Sequence, residues 1–91
     1  MKTSELTGYA LDWAVTRIKH PEYPKYVTIE YSSEWEYGGP IIEREGIALI
    51  PGWTAERPGF SADGPTPLIA AMRCYVSSKL GDTVDIPEEL K

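Results

Sequence analysis

Residues 31–45 read YSSEWEYGGPIIERE, and the architecture depends on whether they form a loop or a regular element. Gly38-Gly39-Pro40 is turn punctuation, since glycine tolerates left-handed torsions and proline cannot donate to a ladder. The stretch therefore predicts a loop that closes on these three residues. Such a loop carries the side chains of a recognition site. Trp35 and Tyr37 offer flat faces for stacking a base or another ring. Gly38 and Gly39 admit close backbone approach and can present amides to an anion, while Pro40 fixes the exit direction. Arg44, with Arg73 further along, suits a phosphate or carboxylate. Glu43 can accept hydrogen bonds from ribose hydroxyls or base amines. The alternative is a structured turn with surface charge.

Outward from this stretch the chain alternates short apolar runs with turn residues. Before it, YVTIEY (26–31) alternates Val27, Ile29 and Tyr31 with Thr28 and Glu30, which predicts a half-buried strand. After it, Ile41-Ile42 and IALI (47–50) flank Glu45-Gly46 and predict a tight hairpin. A turn at Pro51-Gly52, a short strand over 53–57 and an exposed loop over 58–65 follow. TVDIP near the end predicts a short edge strand with Val84 and Ile86 inward, before an acidic tail from about residue 87.

Two helices enclose these elements. Residues 8–19 place Leu11, Ala14, Val15 and Ile18 at helical spacing, with Asp12, Thr16 and Lys19 on the far side and Tyr9 and Trp13 as an aromatic flank. His20-Pro21 ends that helix. The second helix starts at Thr66, an N-cap followed by Pro67, and stops at Gly81. Ile69, Met72, Val76 and Leu80 form its stripe. Ala70, Cys74 and Ser78 form a row of small residues that allows close approach of another backbone, and apolar groups on most of the circumference suggest a homo-oligomer. The expectation is one α+β domain over residues 1–91, two helices packed on a small antiparallel sheet.

Composition excludes several classes of function. The 91 residues carry a net charge of −5, with no Lys/Arg cluster to displace counterions, so direct binding to duplex nucleic acid is not expected. One Cys and one His leave no disulfide and no recognisable metal-ligand set. No apolar run is long enough to span a bilayer and there is no signal-peptide pattern, so a reducing cytoplasm is expected, with no cofactor. Cys74 falls mid-helix among apolar residues, and Ser32 and Ser33 lack an elbow motif and a base. In an extended chain Glu43 and Glu45 point to one side with Arg44 opposite, which leaves open acid/base work by a carboxylate pair. No reaction can be read from the sequence.

Three segments resemble the NinX-like family of small bacteriophage and prophage proteins: SELTGYALDWAV, EWEYGGPIIEREGI and GPTPLIAAMRCYVSSKLGDTVDIPEEL. Several members of that family read Ser-Thr-Asp-Trp where this chain reads Ser-Ser-Glu-Trp, at Ser32 to Trp35, so the acid–Trp pair is kept in kind. The resemblance implies a phage accessory protein of the bacterial cytoplasm. It marks Trp35, Gly38, Gly39, Pro40, Glu43, Arg44, Thr66, Pro67 and Arg73. Small phage proteins of this kind commonly blunt host defence, some by sequestering nucleotide-derived signals and others by binding a defence protein. The expected site is a pocket between the 31–45 loop and the start and flank of the second helix, formed by Trp35, Tyr37, Gly38, Gly39, Pro40, Glu43, Arg44, Thr66 and Arg73. It would sequester a small nucleotide-like ligand without catalysis. The rival expectations are an acidic inhibitor of a host defence or nucleic-acid-binding protein, and an enzyme using Glu43 or Glu45.

Overall fold

The helix Pro67–Leu80 (α3) is the element on which the others assemble. A computed structural model describes residues 1–51 and 53–88 of the chain. Thr66 caps α3 as expected, its hydroxyl accepting from the Ile69 amide at 3.1 Å, and the Gly81 amide closes the other end on the Ser77 carbonyl at 2.9 Å. Leu68, Ala70, Ala71, Met72, Cys74, Tyr75 and Val76 are all buried, because neighbours cover α3 on several sides. The first helix, Gly8–Lys19 (α1), and a third, Trp35–Glu45 (α2), pack on one part of its surface. The strands Ala48–Ile50 (β1), Thr54–Arg57 (β2) and Phe60–Asp63 (β3) form an antiparallel sheet in that order, with β2 and β3 laid on another part. The fold is α+β, with one more helix than the sequence predicts.

The row Ala70, Cys74 and Ser78 meets the chain's own hairpin. Arg57 Nη1 donates to Ser78 Oγ at 3.2 Å, and the Cys74 thiol lies 3.9 Å from the Phe60 carbonyl. At the end of β3, a Cβ added to Gly64 would stand 2.7 Å from the Ala70 amide nitrogen. Small residues thus bring sheet and helix together, and the oligomer interface expected on this row is occupied within one chain. Ala70 and Cys74 are consequently as buried as Met72 and Val76, while Leu80 of the predicted stripe is 46% exposed.

The stretch expected to be a loop is mostly helix. In α2, Gly38 and Ile41 are buried and Ile42 and Glu45 half-buried, spaced as one face of a 3.6-residue period. Gly46 ends the helix in a left-handed conformation (φ 65°) and its amide returns to Glu43 and Ile42 carbonyls. Ile41 and Ile42 therefore belong to the helix, and Gly46 is a helix cap in place of the expected hairpin turn. The chain pairs later: β1 with β2, then β2 with β3 around Pro58-Gly59. Half of the predicted 58–65 loop is thus strand. Gly52 of the expected Pro51-Gly52 turn lies outside the described residues, as do residues 89–91 of the acidic tail.

Residues 26–31 do not form the predicted strand. Their polar backbone groups are satisfied by α1 side chains. Arg17 donates to the carbonyls of Tyr23, Pro24 and Val27 at 2.7, 3.1 and 3.4 Å. The Ile29 amide donates to Thr16 Oγ1 at 3.0 Å, and the Ser32 amide to Asp12 Oδ1 at 2.8 Å. Trp13 Nε1 donates to the Lys25 carbonyl at 3.0 Å. Asp12 and Thr16, expected on the far side of α1, are buried because they anchor this segment. Residues 82–87 keep Val84 and Ile86 inward as expected, yet the predicted edge strand reduces to one bridge, Lys2 with Thr83.

Candidate functional site

Helical geometry rearranges the expected site. Trp35 and Tyr37 are 53% and 43% exposed, and residues two apart on a helix point to opposite flanks. Trp35 lies on a concavity of about 340 Å³ with Ser32, Ser33, Thr66, Pro67, Leu68 and Ile69, where α2 and α3 both begin. Tyr37 faces Thr28, Ile29 and Glu30 and meets the Tyr31 ring edge-on at 6.4 Å. Between the two rings runs the outward crest of α2. Glu36, Pro40 and Glu43 recur there at i, i+4 and i+7 and are all exposed, with exposed Glu30 and Glu34 just ahead of the helix. The result is an acidic ridge with an aromatic ring on either side.

The other predicted residues divide by position. The Gly38 amide donates to the Glu34 carbonyl at 3.0 Å, and within the helix neither Gly38 nor Gly39 forms an anion nest. Gly38 is required by packing: a Cβ there would stand 2.5 Å from both the Tyr31 carbonyl oxygen and Leu68 Cδ2. Thr66 shares the Trp35 concavity and spends its acceptor on capping α3. Arg44 is exposed beside Glu45, with Nε 3.7 Å from Oε2. Arg73 lies elsewhere, in a groove with Lys2 and Ser61. Its Nε donates to the Leu6 carbonyl at 2.7 Å and its Nη1 to the Asp63 carbonyl at 2.8 Å. Trp35, Tyr37, Pro40, Glu43 and Arg44 are therefore all exposed on α2, with Trp35 and Tyr37 on opposite flanks of its crest, and Arg73 does not join them.

The family described as "Bacteriophage P22, NinX" matches residues 2–79. This chain belongs to the P22 NinX family. No curated protein matches it. The matched span contains the whole acidic ridge and both flanking rings, so in this NinX-family protein they are part of the family's own domain.

Titratable groups in the NinX-family chain separate into structural and surface roles. Burial opposes ionisation of Glu45, but the Arg57 hydrogen bond and the charge of Lys79 outweigh it and hold the carboxyl below its usual range. Arg57 Nη1 donates to Glu45 Oε1 at 2.7 Å and Lys79 Nζ lies 3.6 Å from the same oxygen. Glu43 and Glu45, two apart on a helix, cannot form the carboxylate pair expected of an extended chain. Burial raises the Asp12 carboxyl above its ordinary value, against the opposing hydrogen bonds from Ser32. Burial likewise raises the Cys74 thiol, which disfavours a reactive thiolate. His20 stacks on Tyr23 at 4.3 Å, with Nδ1 3.3 Å from Glu22 Oε2. Among the described residues no group of His, Cys, Asp and Glu could hold a metal ion, and no helix is long and apolar enough to cross a membrane. Asp12 and Thr16 are the residues of α1 that the sequence pattern misplaces, and their signal is an Asp and a Thr one helical turn apart.

Proposed function

We propose that this NinX-family protein is a phage accessory protein that docks, without catalysis, on a basic surface of a host protein. The α2 crest supports this reading: Glu36 and Glu43 stand between half-exposed Trp35 and Tyr37. Trp and Tyr are the residues that anchor interfaces, and an acidic surround steers a basic partner and fixes register. The phage setting implied by the family favours a defence or nucleic-acid-binding protein of the host as the target, with counter-defence as the outcome. The test is capture of a host protein on immobilised parent chain, followed by affinity measurement with the purified partner. Trp35→Ala is expected to weaken binding about thirtyfold, or ~2 kcal/mol. Glu36→Gln with Glu43→Gln is expected to slow association and flatten its salt dependence. A partner whose affinity ignores all three substitutions would refute the docking face.

A second reading, sequestration of a nucleotide-derived signal, is supported by the Trp35 concavity. Ser33 and Thr66 hydroxyls lie there beside the starts of two helices, whose ends favour anions. Against it, Glu34 and Glu36 flank that position and the Gly-Gly amides belong to the helix. A thermal-shift series with cyclic dinucleotides and ADP-ribose derivatives separates the two readings. At a hundredfold excess over Kd a ligand stabilises by ~2.7 kcal/mol, a shift of roughly 10–20 °C in a domain of this size. If the docking reading is right, none of these compounds shifts the transition. Glu45 is tied to Arg57 and Lys79, which disfavours the enzyme reading that depends on it.

A further inference from the structure

A second surface, along strand β3, has the makings of a peptide site. Strand β3 is an outer strand of the sheet. In its register with β2, Thr54 faces Asp63 and Glu56 faces Ser61. The Gly64 amide donates to the Trp53 carbonyl at 3.1 Å, so the hydrogen-bonded pairs are 53/64, 55/62 and 57/60. It follows that Ser61 and Asp63 turn their N–H and C=O groups away from β2, towards the free edge. Arg73 Nη1 already takes the Asp63 carbonyl, which leaves the Ser61 N–H, the Ser61 C=O and the Asp63 N–H.

That edge borders a groove of about 260 Å³. Lys2, Thr3, Ser4 and Thr83 form the far wall, Arg73 and Ser77 of α3 lie between, and Asp82 also lines it. On that side Lys2 pairs with Thr83 in a single antiparallel bridge, and Thr3 and Ser4 follow in a short 3-10 helix. Two cations, Lys2 and Arg73, against one acid make this groove basic in a chain whose net charge is −5. With Nε and Nη1 committed, Arg73 retains Nη2 for a further acceptor.

We propose that the groove takes an extended acidic peptide segment of a partner protein, which adds as a strand to β3. Ser61 exchanges two backbone hydrogen bonds with the added strand, and a carboxylate of the segment meets Arg73 and Lys2. Strand addition draws affinity from main-chain bonds and specificity from side-chain contacts, and an unpaired edge is the template it requires.

The probe is a random heptapeptide display library selected on the full chain, with single enriched peptides then synthesised for fluorescence anisotropy. Enrichment of sequences that alternate β-branched and acidic residues is expected. Ser61→Ala is expected to bind them within about twofold of the parent, because its backbone is unchanged. Ser61→Pro removes an outward amide without touching the β2 ladder and is expected to lose at least tenfold, as is Lys2→Glu. Should Ser61→Pro fail to fold, N-methylation of single amides in the peptide makes the same test from the other side and is expected to lose binding at alternate positions. Selection of no acidic sequence, or binding indifferent to Ser61→Pro and to peptide N-methylation, would overturn the proposal.

Discussion

Asp12 shows how one buried polar side chain can organise a whole segment. Its Oδ1 accepts the Ser32 amide at 2.8 Å, and its main-chain carbonyl accepts Thr16 Oγ1 at 2.8 Å. Thr16 in turn holds the Ile29 amide, so two residues of α1 set the path that delivers the chain to Trp35. Removing the acceptor leaves the Ser32 amide buried and unpaired, which costs about 1–3 kcal/mol. Asp12→Ala is therefore expected to lower stability by that amount in urea denaturation at pH 7. Asp12→Asn keeps an oxygen for Ser32 and removes a carboxyl that burial makes reluctant to ionise. It is expected to match or exceed the parent at pH 7. Equal losses for the two variants would mean that the carboxylate charge, and not the acceptor, holds the segment.

At the scale of elements, α2 sets tertiary packing against local propensity. Gly38, Gly39 and Pro40 are three of the poorest helix formers in sequence, yet Trp35–Glu45 is helical. Gly38 fits against the Tyr31 carbonyl where no side chain could, and Ile41 is 1% exposed in the core. Proline inside a helix costs roughly 3 kcal/mol through its missing N–H and its ring, while its stiffening of the unfolded chain returns up to ~1 kcal/mol. Pro40→Ala is thus expected to raise stability by ~1–2 kcal/mol in the same denaturation experiment; a loss of stability would show that α2 depends on the ring.

The helical period of Gly38, Ile41, Ile42 and Glu45 was present in the sequence, but Gly-Gly-Pro punctuation concealed it. The legible elements were those whose signals agreed. Residues 8–19 had their stripe, and residues 67–80 had stripe, cap and stop together. Residues 26–31 alternate like a strand, but no neighbouring edge is offered to them, and α1 side chains take their backbone groups instead. In residues 58–65 Pro58 and Gly59 make the turn, with Gly59 at φ 83°, and 60–63 pair with β2. Of the candidate site, residue types were legible and directions were not. The loop reading brought Tyr37 and Trp35 to one pocket, and the helix parts them around an acidic crest.

For the whole molecule, two carboxyls in opposite environments set the response to acid. Glu45 joins the end of α2 to β2 through Arg57 and to α3 through Lys79. Its carboxyl titrates below the unfolded value, so its contribution is present above that value and is lost as pH falls through the folded one. Burial holds the Asp12 carboxyl above its ordinary value of 3.8. The native state then binds its proton more tightly than the unfolded state, and this group adds stability as pH falls from its folded value towards 3.8. The two terms oppose each other in mildly acidic solution. Asp12→Asn is expected to unmask the Glu45 term, giving a steeper loss of stability than the parent between neutral and acidic pH. Glu45→Gln is expected to cost ~1–3 kcal/mol at pH 7 through the weakened charged hydrogen bonds and to show a shallower loss on acidification. Urea midpoints for the three proteins, measured in steps from pH 7 to pH 3, give the comparison. Parallel curves would assign the acid response to other carboxylates and remove Glu45 as the joint between the three elements.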